Sequence, residues 1–286
     1  MNIKTKIRDY AQLMKVRLSF MVVFSASMAY LWATHRNVQP ATIFLLSIGG
    51  FLITGSANII NQILERSSDK LMKRTMLRPL PDGRMASNEA LILALSTGFA
   101  GVILLNKISL LCGMLGAVAL IMYGFIYTPL KKKTWLTVVP GAISGSLPVV
   151  IGVVAAKGTI THEAIILFLI QFVWQFPHTW SIAWLQEEEY AKSGIRMLPA
   201  GGKCKGTAAL MMVSTFLMIP AAFLLAMYES CGVHVYWTVA IAGAILTAFS
   251  YVHYRNQTNK TALRLMLSSI AYLPIVLIIL VIEKML

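Results

Sequence analysis

The chain reads as long apolar runs separated by short polar clusters. A helix rises 1.5 Å per residue, so about 20 mostly apolar residues cross a hydrocarbon core of about 30 Å. Runs of that kind lie at residues 18–34, 41–64, 89–105, 108–127, 136–156, 164–185, 207–228, 233–251 and 263–282. They predict an all-α integral membrane protein with nine transmembrane helices. No spacer between runs is long enough for a separate soluble domain, so residues 1–286 read as one membrane-embedded domain. The first run is short, but Lys4, Lys6, Arg8, Lys15 and Arg17 precede it and it lacks a small-residue cleavage site. It reads as a retained helix, not a signal peptide.

Composition sharpens this. Apolar residues make up 57% of the chain and charged residues 13%, against roughly 25% charged in an ordinary soluble protein, which excludes soluble, disordered and fibrous classes. A net charge of +14 would suggest nucleic acid in a soluble protein; here its placement relative to a bilayer comes first. With the N-terminus inside, only Arg36, Lys107, Lys157 and Lys284 fall in outer segments, and every other Lys and Arg falls inside. A wrong number of spans would scramble that alternation, so the charge reports orientation. No Arg- and Ser-rich presequence precedes the first run, which points to a bacterial inner membrane with the inner side cytoplasmic. Cys112, Cys204 and Cys231 are scattered without a CxxC spacing and imply neither a disulfide framework nor a zinc site.

The acidic residues cluster on the same inner side: Asp9, Glu65, Asp69, Asp82, Glu89, Glu187, Glu188 and Glu189. The clusters at Glu65/Asp69 and Glu187 to Glu189 follow the second and sixth spans, both running from outside to inside. The basic loop after the fourth span, Lys131 to Lys133, has a weaker partner after the eighth, at His253 and Arg255. A four-helix unit used twice in parallel would give this pseudo-repeat.

Asn61, Glu65 and Asp69 are spaced four residues apart, so a helix continuing past the membrane edge stacks them on one face. Two carboxylates and an amide form a column of hard oxygen donors suited to Mg²⁺, which is usually held by one or two carboxylates plus substrate phosphates. Lys73, Arg74 and Arg78 follow immediately, before Pro79, Pro81 and Gly83 turn the chain. Carboxylate-held metal beside a cationic loop makes a diphosphate clamp. The same spacing also suits a solvated helix end with orientation charge beyond it.

The stretch Asn61-Gln-Ile-Leu-Glu65-Arg-Ser-Ser-Asp69 resembles the first signature of the UbiA-type intramembrane prenyltransferases, Asn-x-x-x-Asp-x-x-x-Asp. The tail from Met72 to Pro79, Tyr127-Thr-Pro129-Leu-Lys131, Trp174-Gln-Phe-Pro-His178, and Glu189-Tyr190 followed by Gly194-Ile-Arg-Met-Leu-Pro199 resemble the branch that farnesylates heme. The likeness covers nearly the whole chain. Within the first signature two positions depart from it: Glu65 stands where Asp is usual, and Ser67 where a further acid is expected. Glu189 also stands where Asp is usual in the second cluster, leaving the choice among Glu187, Glu188 and Glu189 open.

The resemblance implies a UbiA-type bundle that transfers farnesyl from farnesyl diphosphate to a vinyl group of heme B, with water addition, giving heme O. Glu65, Asp69 and one or more of Glu187, Glu188 and Glu189 would then hold Mg²⁺, with Asn61 as amide ligand or orienting group. Lys73, Arg74, Arg78 and Lys131 would contact phosphate oxygens. The product would suit a downstream heme-modifying enzyme or a terminal oxidase, and nucleic acid has no part in this chemistry.

Gln171, Gln175 and His178 share one face of the sixth span, an arrangement expected to face the bundle interior and not lipid. His178 is a candidate heme-iron ligand, or else a core histidine packed on Trp174 or Trp180. Tyr127, Trp174 and Gln175 are candidate cavity residues, and His253 a candidate propionate contact. His35, His162 and His234 read as structural or interfacial, the 16 methionines as packing. A quinone- or chlorophyll-pathway prenyltransferase would share the clamp and differ in its acceptor pocket. A transporter would place charges nearer the midplane, where this sequence has none.

Overall fold

The computed structural model describes residues 3–35, 37–228 and 232–285, and among them every regular element is a helix. Arg36 and Cys231, used above, lie outside the described residues. The chain opens on α1 (Ile3–Leu13), whose Ile3 and Ile7 are exposed while Asp9 and Leu13 are buried. Then come α2 (Val16–Thr34), α3 (Pro40–Leu64), the short α4 (Arg66–Asp69) and α5 (Ser87–Asn106). The next helix, α6 (Leu110–Ile121), widens into a π-helical turn at Met122–Tyr127 and ends in α7 (Thr128–Leu130). A 3-10 turn at Trp135–Thr137 leads to α8 (Val138–Lys157), α9 (His162–Leu185) and the short α10 (Glu187–Lys192). After a 3-10 turn at Pro199–Gly201, the chain closes with α11 (Lys205–Phe216), α12 (Met218–Tyr228), α13 (Val233–Asn256) and α14 (Asn259–Met285).

Local chemistry explains several boundaries. Pro40 occupies the first turn of α3, where its missing N–H costs nothing. Ser109 caps α6 by accepting from the Cys112 N–H at 3.1 Å. Gly158 ends α8 at φ +78, a conformation that suits glycine.

Among the described residues, eight helices are long and apolar enough to cross a membrane: Val16–Thr34, Pro40–Leu64, Ser87–Asn106, Leu110–Leu130, Trp135–Lys157, His162–Leu185, Val235–Asn256 and Asn259–Lys284. This is a multi-pass membrane protein. The predicted span at residues 207–228 is divided at Leu217 into α11 and α12. Pro220 supplies the cause, since it cannot donate to the Phe216 carbonyl and its ring crowds that carbonyl.

Small residues let the helices approach closely. Gly152 of α8 lies against the Ala26 carbonyl of α2, where any Cβ would collide. A Cβ at Gly101 of α5 would sit 3.0 Å from the Gly49 carbonyl of α3. Without a hydrophobic force between helices in lipid, such close packing is what holds them together. Phe20, Phe44, Ile92, Leu95 and Phe99 point outward and are exposed, as a lipid-facing belt requires. Helices α2, α3, α6, α8, α9 and α14 surround a cavity of about 580 Å³.

The two helices that carry acidic clusters end alike. Glu65 (φ −93, ψ 6) bends the chain between α3 and α4, and Gln186 (φ −106, ψ 9) bends it between α9 and α10. Each long helix is thereby followed by a short acidic one.

Candidate active site

The bend at Glu65 does not break the column that the spacing predicts. Asn61, Glu65 and Asp69 are all buried at the same end of α3 and α4. Each is matched to a partner from elsewhere in the chain. Asp69 Oδ2 accepts from Arg78 Nη1 at 2.8 Å, while Asp69 Oδ1 is buried without a partner. Glu65 Oε1 lies 3.1 Å from Lys131 Nζ. Asn61 donates from Nδ2 to Thr128 Oγ1 at 3.1 Å, and its Oδ1 accepts from Lys15 Nζ at 3.4 Å.

Burial pushes the Asp69 carboxyl above the usual carboxylate range, partly countered by Arg78. Burial works against the Lys131 ammonium, yet Glu65 beside it outweighs this and holds it above the usual lysine range. Lys15 goes the other way: burial, then Arg78 and Lys131, bring its ammonium down to about 7. Three basic groups therefore face two carboxylates and an amide, and an arriving anion would favour the charged form of Lys15.

The loop beyond α4 is anchored through Met72, Thr75, Pro79 and Leu80, all buried. Arg78 turns inward from it, whereas Lys73 and Arg74 are exposed. The sequence reading of four phosphate-contacting cations is thus divided: Arg78 and Lys131 join the carboxylates, and Lys73 and Arg74 stand on the solvent side.

The second acidic cluster is also divided. Glu189 accepts from the backbone N–H groups of Lys73 at 3.1 Å and Arg74 at 3.5 Å, so it ties α10 to the cationic loop. Glu187 accepts from the Lys203 backbone N–H at 2.9 Å and is turned toward the following loop, and Glu188 is exposed. Among the described residues, no three His, Cys, Asp or Glu side chains converge as a metal cage. The donor set at Asn61, Glu65 and Asp69 nevertheless fits Mg²⁺: hard oxygens, one of them a buried carboxylate oxygen with no partner.

Tyr127 links this cluster to the cavity. Lys131 Nζ sits 4.5 Å from the centre of the Tyr127 ring, and that ring lines the cavity with Tyr123. The π-helical turn aims both tyrosines the same way, with ring centres 5.2 Å apart. Gly141 of α8 makes room, since a Cβ there would meet the Tyr127 ring at 2.8 Å.

Across the cavity stands the α9 face. Gln171 donates to the Gly145 carbonyl at 2.7 Å, and Gln175 packs against Gly145 so closely that a Cβ there would collide with its amide. Trp174 stacks on His178 with ring centres 4.6 Å apart and donates to the Ser269 carbonyl at 2.7 Å. His178 Nδ1 lies 2.9 Å from Ser269 Oγ. Trp174, Gln175 and His178 all line the cavity.

His253 is placed elsewhere. It is fully buried in the last turn of α13, with Nδ1 2.9 Å from Thr261 Oγ1 of α14 and its ring edge-on to Trp184. It lines no part of the cavity, because α13 turns it into the packing against Thr261 and Trp184. Sequence reasoning missed Lys15, Thr128 and Ser269. Lys15 is counted there only as orientation charge, and a serine or threonine in an apolar run carries no signal of its own.

A bundle of membrane helices with a carboxylate–cation cluster joined through Tyr127 to an apolar cavity suits an anionic, lipid-like substrate. The model of the UbiA prenyltransferase family matches residues 22–272, and the chain belongs to that family. It is 42% identical over 283 residues to the protoheme IX farnesyltransferase of Cytophaga hutchinsonii, covering 98% of this chain and 99% of that one. In fold it matches a digeranylgeranylglyceryl phosphate synthase with a TM-score of 0.83 at 17% identity, over 98% of this chain and 99% of the other. It also matches a UbiA homolog from Archaeoglobus fulgidus bound to GPP and Mg²⁺, with a TM-score of 0.75 at 13% identity, over 95% and 99% of the two chains.

Proposed function

We propose that this protein transfers the farnesyl group of farnesyl diphosphate to a vinyl group of heme B, giving heme O. The observation that carries the reading is Tyr127, whose ring both lines the cavity and lies against Lys131 of the clamp. The diphosphate end of a substrate at Lys131 would leave its isoprenoid tail in the cavity, where the α9 face with His178 could hold the acceptor. The 42% identity to a protoheme IX farnesyltransferase over nearly the whole chain supports heme as that acceptor.

The allylic C–O bond breaks as diphosphate leaves. The vinyl π-bond attacks the allylic cation, and water captures the new cation with loss of a proton, leaving a hydroxyethylfarnesyl substituent. Arg78 and Lys131 offset charge on the leaving diphosphate, as preorganised donors in a water-poor site do. Glu65 and Asp69, with Asn61 beside them, would hold Mg²⁺, which when bound neutralises phosphate charge. Glu189 supports the site by fixing the loop that carries Arg78. The apolar cavity wall delays water until the carbon–carbon bond has formed. Nine spans, an inner N-terminus and a site on the cytoplasmic face of a bacterial inner membrane agree with the placement of Lys and Arg.

Incubation of the purified protein with heme B, farnesyl diphosphate and Mg²⁺, followed by mass analysis, tests this. Heme O should appear and EDTA should stop it. Farnesylation of hydroxybenzoate with heme untouched would overturn the choice of acceptor.

A further inference from the structure

Lys15 occupies a backbone conformation that lysine rarely adopts, φ +46 and ψ +57, between α1 and α2. A left-handed non-glycine residue costs free energy and persists where its surroundings impose it. The surroundings here are specific. Gln62 donates to the Leu13 carbonyl at 2.6 Å, and Asn58 and Ser19 donate to the Met14 carbonyl at 3.5 and 2.8 Å. Both carbonyls immediately precede Lys15, and both amides come from the helix that carries Asn61. Gly55 completes the arrangement, since Met14 packs where a Cβ at that position would be.

This turn points the Lys15 ammonium at the clamp. It lies 3.4 Å from Asn61 Oδ1, on the residue that opens the donor column, and is close enough to feel Glu65, Asp69, Arg78 and Lys131. An amide oxygen at 3.4 Å is a weak partner for a cation drawn out of water. Arg78 and Lys131 each pair with a carboxylate, whereas the Lys15 ammonium donates to the Asn61 amide oxygen. The N-terminal helix is itself fastened to the same region, through Arg84 and Asp9 at 3.3 Å and through Tyr10 and Glu89 at 2.6 Å.

We propose that Lys15 is a third diphosphate-contacting cation, held beside Asn61 by the Asn58–Gln62 brace. The proposal rests on the prenyl-transfer reading above. Its role is to meet the negative charge that gathers on the diphosphate as the allylic bond breaks.

Glycine favours the left-handed turn, so Lys15→Gly removes the ammonium while keeping the backbone. Lys15→Arg keeps the charge. Steady-state turnover would be measured in detergent with farnesyl diphosphate and heme B varied separately, alongside inhibition by inorganic diphosphate. The parent enzyme serves as control: if it makes no heme O, the functional reading fails before Lys15 is tested. With an active parent, Lys15→Gly should lose about 10²-fold in kcat, bind inorganic diphosphate at least several-fold more weakly, and keep its half-saturating heme. Lys15→Arg should recover much of the loss. Parent-like turnover and diphosphate inhibition in Lys15→Gly would overturn the proposal. So would a shift confined to half-saturating heme, which would assign the ammonium to a propionate instead.

Discussion

The Glu189 carboxylate accepts the backbone N–H of Lys73 at 3.1 Å and so joins two acidic segments far apart in the chain. A carboxylate on a backbone N–H is a charge-assisted hydrogen bond, stronger than a neutral one. Its effect is to fix the loop from which Arg78 turns inward.

Glu189→Ala should therefore loosen that loop. Amide hydrogen exchange at Lys73 and Arg74 should speed up, and the half-saturating farnesyl diphosphate should rise several-fold. Glu188→Ala, at an exposed neighbour, should leave both unchanged. Equal effects from the two variants would mean that the acidic run acts only through its overall charge.

Arg78 and Arg74 separate two roles of the cationic loop. Arg78→Ala leaves Asp69 buried and unpaired, a loss of about 3–5 kcal/mol for a buried pair, so thermal stability should fall together with turnover. Arg74 is exposed, and Arg74→Ala should leave the melting temperature within a degree or two of the parent. If it still lowers kcat by about 10²-fold, the side chain swings in to meet phosphate; parent-like turnover would confine the phosphate contacts to the cations that face the carboxylates. Asp69→Ala should abolish turnover, and near-normal activity there would reduce the column to a solvated helix end.

Much of this fold is legible in the hydrophobic pattern, because a bilayer demands long apolar helices. The eight long helices fall on predicted spans, and the division at Leu217 follows from Pro220. Spacing also anticipates that Asn61, Glu65 and Asp69 share a face. What spacing cannot supply is long-range partnership. Nothing local in the sequence assigns Lys131 to Glu65, turns Glu189 toward Lys73, or folds His253 away from the cavity. The π-helical turn at Met122–Tyr127 is equally hidden, since its apolar residues read as an ordinary α-helix.

Glu65 tests how a longer acid serves in the donor column. Glu65→Asp should retain substantial activity, though its shorter arm weakens the contact with Lys131. Glu65→Gln keeps the shape and one acceptor oxygen but loses the charge a hard cation requires. Mg²⁺ titration of turnover distinguishes them: a Glu65→Gln enzyme with parental activity and half-saturating Mg²⁺ would remove Glu65 from the ligand set.

His178 carries the prediction about the acceptor. The Ser269 hydroxyl lies 2.7 Å from the Met266 carbonyl and 2.9 Å from His178 Nδ1; with its one proton on the carbonyl, its oxygen accepts from His178 Nδ1–H. The imidazole lone pair then resides on Nε2, the nitrogen left for heme iron. Titration of the protein with heme B should give a Soret band of histidine-ligated iron, lost in His178→Ala and restored by added imidazole. Ser269→Ala frees the other tautomer and should weaken ligation without removing it, with little change in half-saturating farnesyl diphosphate. An unaltered Soret band in His178→Ala would leave the histidine as a packing partner of Trp174 and nothing more.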